Sequence, residues 1–146
     1  FCLIGFAPFK VDRALREGDT IAIGGKEIRV YHTPGHTPGC CSFGFKVNYE
    51  GVDYNGFLFG GPGQNVFEEE NLRASIYGGT IQDYKTSLNR LETLMVDVWL
   101  GAHLGQNDMF GKLELLKKGI KPNPYIDPEG WKDYLKKLKD NLQKFL

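Results

Sequence analysis

Between Tyr31 and Gly39 the chain reads Tyr-His-Thr-Pro-Gly-His-Thr-Pro-Gly, and no other stretch limits the fold as much. Pro34 and Pro38 have no backbone N–H to give and push the residues before them out of the α region, so a continuous helix cannot run through here. His32 and His36 therefore do not share a face as a helical i,i+4 pair would. A histidine held on a rigid turn after a strand can offer one ring nitrogen to a metal while the other is anchored by a hydrogen bond. The run reads as a metal-ligand loop.

The third and last histidine, His103, lies in Trp99-Leu100-Gly101-Ala102-His103-Leu104-Gly105. Val96, Val98, Trp99 and Leu100 predict a short buried strand, and His103 follows its end between small residues. Ligands of open α/β sheets bind beyond the carboxyl ends of strands, and a mixed sheet can use the same geometry. Histidines far apart in sequence are thus expected at strand ends.

Around these points the pattern alternates strands with helices, without repeats or low-complexity linkers. Thr20 to Ile23 and Glu27 to Tyr31 predict a hairpin about Gly24-Gly25, a pair that tolerates the positive φ of a tight primed turn. Cys41 to Val47 and Val52 to Phe59 suggest a second antiparallel pair. Thr80-Ile81-Gln82-Asp83 has the form of a helix start, with Leu88, Leu91 and Met95 as its apolar stripe. A short helix carrying Leu113, Leu115 and Leu116 should end near Gly119. Asp127-Pro128 then supplies an N-cap and a proline at the first helical position. The last helix shows an apolar stripe of Trp131, Tyr134, Leu135, Leu138, Leu142 and Phe145. The lysines beside that stripe, Lys132, Lys136, Lys137, Lys139 and Lys144, read as solvated surface.

Several of these segments carry a family resemblance. Gly18-Asp19, Ile21, Ile23 and Gly24-Gly25, followed by Thr33-Pro34-Gly35-His36-Thr37-Pro38-Gly39, resemble the second half of a metallo-β-lactamase-fold hydrolase. Asp97 to His103 and Asn123-Pro124-Tyr125-Ile126-Asp127-Pro128-Glu129-Gly130 narrow the resemblance to the subclass B3 enzymes, in order and spacing over nearly the whole chain. It implies an α/β (α+β) fold, the αββα sandwich, with residues 1–146 as a C-terminal αβ half built on a mainly antiparallel mixed sheet. The His-x-His-x-Asp-His signature of the family's first half is missing, and three histidines cannot supply it.

Carried over residue by residue, the resemblance assigns two zinc ligands here. His36 matches the histidine that completes the three-nitrogen site, and His103 matches the histidine of the second site. A complete enzyme would hold two Zn2+ and open the β-lactam ring by attack of a metal-held hydroxide. No other catalytic residue is expected in this half. Phe59-Gly60-Gly61-Pro62-Gly63-Gln64-Asn65 lacks the metal-bridging aspartate of many superfamily hydrolases, which favours the B3-like reading over glyoxalase-II-like or tRNA-processing branches. It also lacks the serines that B3 relatives often place there. Gly60, Gly61, Gln64 and Asn65 are the candidate substitutes, as substrate or metal-supporting contacts. His32 is either a strand-end polar residue supporting the site or a metal contact, and Tyr31, Phe67 and Tyr77 either line a substrate groove or pack.

Eighteen basic and eighteen acidic residues leave no net charge and no electrostatic footprint for nucleic acid. Phe1 to Phe9 is apolar but too short to span a bilayer and has no basic leader, so neither a signal peptide nor a membrane anchor is expected. Cys2, Cys40 and Cys41 form no disulfide framework. Several relatives of the resembled family join the positions of Val96 and Trp131 by a disulfide, which this chain cannot make. A periplasmic or secreted location follows from the resemblance alone.

Half a sandwich has an energetic consequence. Its sheet expects a second sheet on the face that the helices leave open, and apolar area left in water forfeits about 25 cal/mol per Å². The isolated chain is therefore expected to dimerise, to aggregate or to be partly molten, with the missing half of the fold as its natural partner. Three functions follow: a B3-type zinc β-lactamase present in part, another metal-dependent hydrolase acting on a lactone, thioester or phosphodiester, or a non-catalytic remnant.

Overall fold

The computed structural model describes residues 10–73 and 77–146. The apolar stretch Phe1 to Phe9, with Cys2, lies outside the described residues. A five-stranded sheet runs in sequence order: β1 (Thr20–Ile23), β2 (Lys26–His32), β3 (Cys41–Tyr49), β4 (Val52–Leu58) and β5 (Val98–Leu100). The first four strands are antiparallel neighbours, and β5 joins β4 in parallel. The hairpin turns at Gly24 and Gly25 with φ of 56° and 74°, the positive values expected of that pair. The helices are α1 (Glu69–Arg73), α2 (Ile81–Leu91), α3 (Met109–Lys117) and α4 (Pro128–Leu142).

This topology decides where the loops gather. Strands β2 and β4 both oppose β3 and so run the same way, and β5 follows β4. The carboxyl ends of β2, β4 and β5 and the start of β3 therefore share one edge of the sheet. His32, the 33–40 loop, the loop after Leu58 and the turn after Leu100 all emerge there.

The core lies between one sheet face and helices α2 and α4. Phe57 and Trp99 from the sheet, with Phe59 just past the end of β4, meet Tyr84, Leu88 and Leu91 of α2 and Trp131, Leu135, Leu138 and Leu142 of α4. Pairing places Val30, Phe43, Leu58 and Leu100 in one row across the opposite face, and Ile28, Phe45, Gly56 and Val98 in the next. Period-two alternation makes that second face apolar as well. Its margins are open: Ile23 is 64% exposed, Val52 51% and Leu100 38%.

Some expectations need correction. Met95 does not continue the α2 stripe, because the helix stops at Leu91 and leaves Met95 84% exposed, while Leu88 and Leu91 are buried. Helix α3 forms over its leucines but buries none of its residues. The final stripe holds: Trp131, Leu135, Leu138 and Leu142 are buried, and Tyr134 and Phe145 pack against them. Among the five lysines beside it, Lys132 pairs with Glu129 and Lys139 with Glu92.

Helix α4 starts where its sequence says it should. The Asp127 carboxylate accepts the Gly130 N–H at 2.9 Å and holds the Lys112 ammonium at 2.6 Å. Burial pushes this carboxyl up, but the Lys112 ammonium and the Gly130 N–H outweigh it and hold it below its ordinary 3.8. A depressed folded-state value means stability that is present above the unfolded value and lost as pH falls through the folded one. Asp127→Asn keeps a capping side chain and removes the charge, so it should flatten the loss of stability below about pH 4 while costing about 1 kcal/mol at neutral pH. Urea melts at pH 3 and pH 7 check this. An unchanged acid limb would show that the charge is not what the fold uses.

Candidate metal centre

The 33–40 loop is fixed from both sides by hydrogen bonds. Thr33 and Ser42, both buried, share a hydroxyl bond of 2.7 Å, and the Gly60 N–H donates to Ser42 Oγ at 3.1 Å. One serine thus ties together the end of β2, the start of β3 and the exit of β4. Helix α2 then clamps two loops at once. Ser87 Oγ donates to the Pro34 carbonyl at 2.7 Å, and the buried Tyr84 hydroxyl donates to the Pro62 carbonyl at 2.6 Å. Burial pushes the Tyr84 phenol well above its ordinary range, so it stays a donor at any working pH.

Gly35 shows how tight this clamp is. Its φ is 142°, and a Cβ there would meet Tyr84 Cα and Cβ at 2.5 Å. Gly35→Ala should therefore combine backbone strain with overpacking, costing about 2–4 kcal/mol. A thermal melt checks it, and a loss under about 0.5 kcal/mol would mean that α2 is not seated on the loop.

His36 sits at the centre, half-buried. Its Nδ1 lies 2.8 Å from the Gly63 carbonyl oxygen. A carbonyl only accepts, so Nδ1 carries the proton and Nε2 is left with its lone pair. That tautomer is the one in which Nε2 can bind a metal. Gly63 leaves this contact room, since a Cβ there would stand 3.2 Å from the imidazole Cε1 and the ring would have to give by a few tenths of an ångström. The Tyr77 ring lies beside the imidazole at 5.3 Å between centroids.

His103 stands on the same sheet edge, exposed, on the turn after β5. Its backbone N–H donates to Gln106 Oε1 at 3.1 Å, and the Gln106 N–H returns to the His103 carbonyl at 3.1 Å. Buried Asn107 anchors the turn by donating from Nδ2 to the Trp99 carbonyl at 3.0 Å.

The remaining candidates are placed as follows. His32 ends β2 with Nε2 on the Pro38 carbonyl at 2.7 Å and its backbone N–H on Glu17 at 2.7 Å, so its ring braces the loop that carries His36. Arg90 also binds Glu17, and this bond holds the Glu17 carboxyl below its ordinary value. Gly60 and Gly61 cross close over the start of β3, where a Cβ on Gly61 would meet Cys40 Sγ at 2.5 Å. Gln64 turns away to donate to the Leu138 carbonyl of α4 at 2.6 Å, and Asn65 remains exposed. Cys40 and Cys41 are free and half-buried. Tyr31 packs on Phe57 and Phe67 on Tyr84, both away from His36, whereas Tyr77 is half-buried next to it.

Sequence reasoning missed Tyr84, Ser42, Gln106 and Asn107. Only Tyr84 had a signal, its helical spacing to Leu88 and Leu91. Among the described residues no group of three or more His, Cys, Asp or Glu side chains converges to hold a metal ion. The described residues therefore place candidate donors singly along this edge.

These elements make up half of a metallo-β-lactamase fold, and the chain matches subclass B3 metallo-β-lactamases in structure. The native FEZ-1 metallo-β-lactamase from Legionella gormanii is 33% identical with a TM-score of 0.82, over 95% of this chain and 52% of that one. The class B3 di-zinc metallo-β-lactamase LRA-12 from an Alaskan soil metagenome is 29% identical with a TM-score of 0.71, over 97% and 53%. A probable metallo-hydrolase of Burkholderia pseudomallei is 56% identical over 32 residues, which are 22% of this chain and 11% of that protein. No family model matches the chain. The chain spans about half the length of the solved relatives it matches.

Proposed function

We propose that this chain is the C-terminal half of a zinc-dependent β-lactamase of the subclass B3 type. The observation that carries this reading is the Nδ1–H bond from His36 to Gly63, which leaves Nε2 free on the edge where His103 also stands. The imidazole donors suit zinc, and LRA-12, whose fold this chain matches over half its length, is described as a di-zinc enzyme. His36 and His103 would each hold one of two zinc ions, with the other ligands coming from the missing half. Bound zinc supplies Lewis acidity toward a carbonyl oxygen and makes water nucleophilic near neutral pH. The chain's own part is to orient: Gly63 sets the His36 tautomer, Tyr77 lies beside the imidazole, and Gln106 and Asn107 shape the His103 turn. Export to the periplasm or secretion belongs to the same reading.

A second reading keeps the metal chemistry and changes the substrate to a lactone, thioester or phosphodiester. It is favoured by the 60–65 loop, which offers glycine amides and an exposed Asn65 but no hydroxyl to hold a β-lactam carboxylate. Zinc stoichiometry and nitrocefin hydrolysis, measured side by side on this chain and on a polypeptide that includes the upstream half, separate the two. Two zinc ions with turnover support the β-lactamase. Two zinc ions with intact nitrocefin move the assignment to the second reading.

A further inference from the structure

We infer that the chain has a second binding site, for a small monoanionic molecule with an apolar body, at the end of the sheet opposite the histidines. The inference does not depend on the proposed activity. Because α2 stops at Leu91 and the chain turns through Leu94, Met95 and Val96 to reach β5, the lower part of the helix-facing sheet surface is left uncovered. A cleft of about 430 Å³ opens there. That is within the size range of small-molecule sites, roughly 300–1,000 Å³.

Its floor is set by strand register. Arg29, Gly44 and Phe57 stand opposite one another on β2, β3 and β4, and Lys46 faces Asn55 in the next helix-facing row. Gly44 has no side chain to fill the space, and the Tyr31 ring leans into it. One wall is apolar, formed by Phe57, Leu94 and Met95, the last of these 84% exposed.

Two exposed cations, Arg29 and Lys46, also line the cleft. The Arg29 guanidinium lies 5.6 Å from the Tyr31 ring centroid. Lys46 Nζ donates to Asn55 Oδ1 at 2.6 Å, and Asn55 is itself held by Asp97 Oδ2 at 3.0 Å. Neither Arg29 nor Lys46 has an ion pair among the described residues. Glu27 is the one acid in the lining against these two cations; the Asp97 carboxylate lies behind Asn55, and Glu17, which Arg29 also attracts, lies outside the cleft. Two oriented cations, one acid and an apolar wall fit a single carboxylate or comparable anion with an aryl or short alkyl body.

The test uses 3-phenylpropionate as probe and 3-phenylpropanol as its neutral counterpart, followed by amide chemical shifts in the intact chain. The carboxylate should produce saturable shifts at Gly44, Asn55 and Met95, and the alcohol should bind at least about tenfold more weakly. Arg29→Ala and Lys46→Ala should each weaken the carboxylate about tenfold, with Lys85→Ala unchanged and all variants melting like the parent. Equal binding of acid and alcohol would overturn the anion assignment. Shifts confined to the opposite sheet face, or no saturation by about 10 mM, a concentration equivalent to barely 3 kcal/mol of binding, would overturn the site.

Discussion

In a polypeptide that joins this chain to the upstream half of the fold, His36→Ala or His103→Ala should lower nitrocefin hydrolysis by at least about 100-fold and remove about one zinc ion each. Changing a group that merely orients a metal ligand costs roughly 10–100-fold in affinity or activity, and removing the ligand itself should cost more. The far-ultraviolet spectrum should not change, because His103 is exposed and the His36 loop keeps its bonds from Ser42 to Thr33 and from Ser87 to Pro34 when the imidazole is removed. Gly63→Ala offers a finer version. Its new Cβ would press on the His36 ring at 3.2 Å, and activity should fall about 10–100-fold with both zinc ligands still in place. Full zinc content and full turnover in His36→Ala would remove the metal assignment for that residue.

What could be read from the sequence was mostly local. Gly24-Gly25 reports a turn because only backbone conformations with positive φ close it. Thr80 and Asp127 report helix starts because each side chain accepts a backbone N–H three residues ahead. The non-helical run from Tyr31 to Gly39 placed His36 on a rigid loop for the same kind of reason. The supports of that loop and of the 60–65 loop beside it come from across the fold, and no local pattern contains them. Tyr84 lies 22 residues from Pro62 and Ser87 lies 53 from Pro34. The His32 ring bonds the Pro38 carbonyl only because the loop doubles back. Met95 shows the opposite failure, a helical spacing that continues in sequence after the helix has ended. The half fold was legible as well, since the resembling segments follow the order of the family's second half and the chain matches 52% of the FEZ-1 structure.

Trp131→Ala should be the most destabilising single change in the core, at about 3–5 kcal/mol. Trp131 is 2% exposed, and its ring meets Phe57 at 5.4 Å, Trp99 at 5.9 Å and Phe59 at 6.4 Å between centroids. It therefore joins α4 to both β4 and β5, the strands whose ends lead to the 60–65 loop and to His103. A whole domain has a net stability of about 5–15 kcal/mol. This chain should sit near the lower bound, because the margins of its second sheet face remain in water. The alanine variant should then lose its near-ultraviolet signal and its cooperative urea transition at 25 °C. Trp131→Phe separates volume from polarity. Among the described residues the buried indole Nε1 has no hydrogen-bond partner, so the phenyl ring forfeits no bond and should cost only about 1–2 kcal/mol of packing. An alanine variant that melts within about 1 kcal/mol of the parent would mean that the sheet and α4 hold together by other contacts, and that the half fold is stabilised mainly through α2.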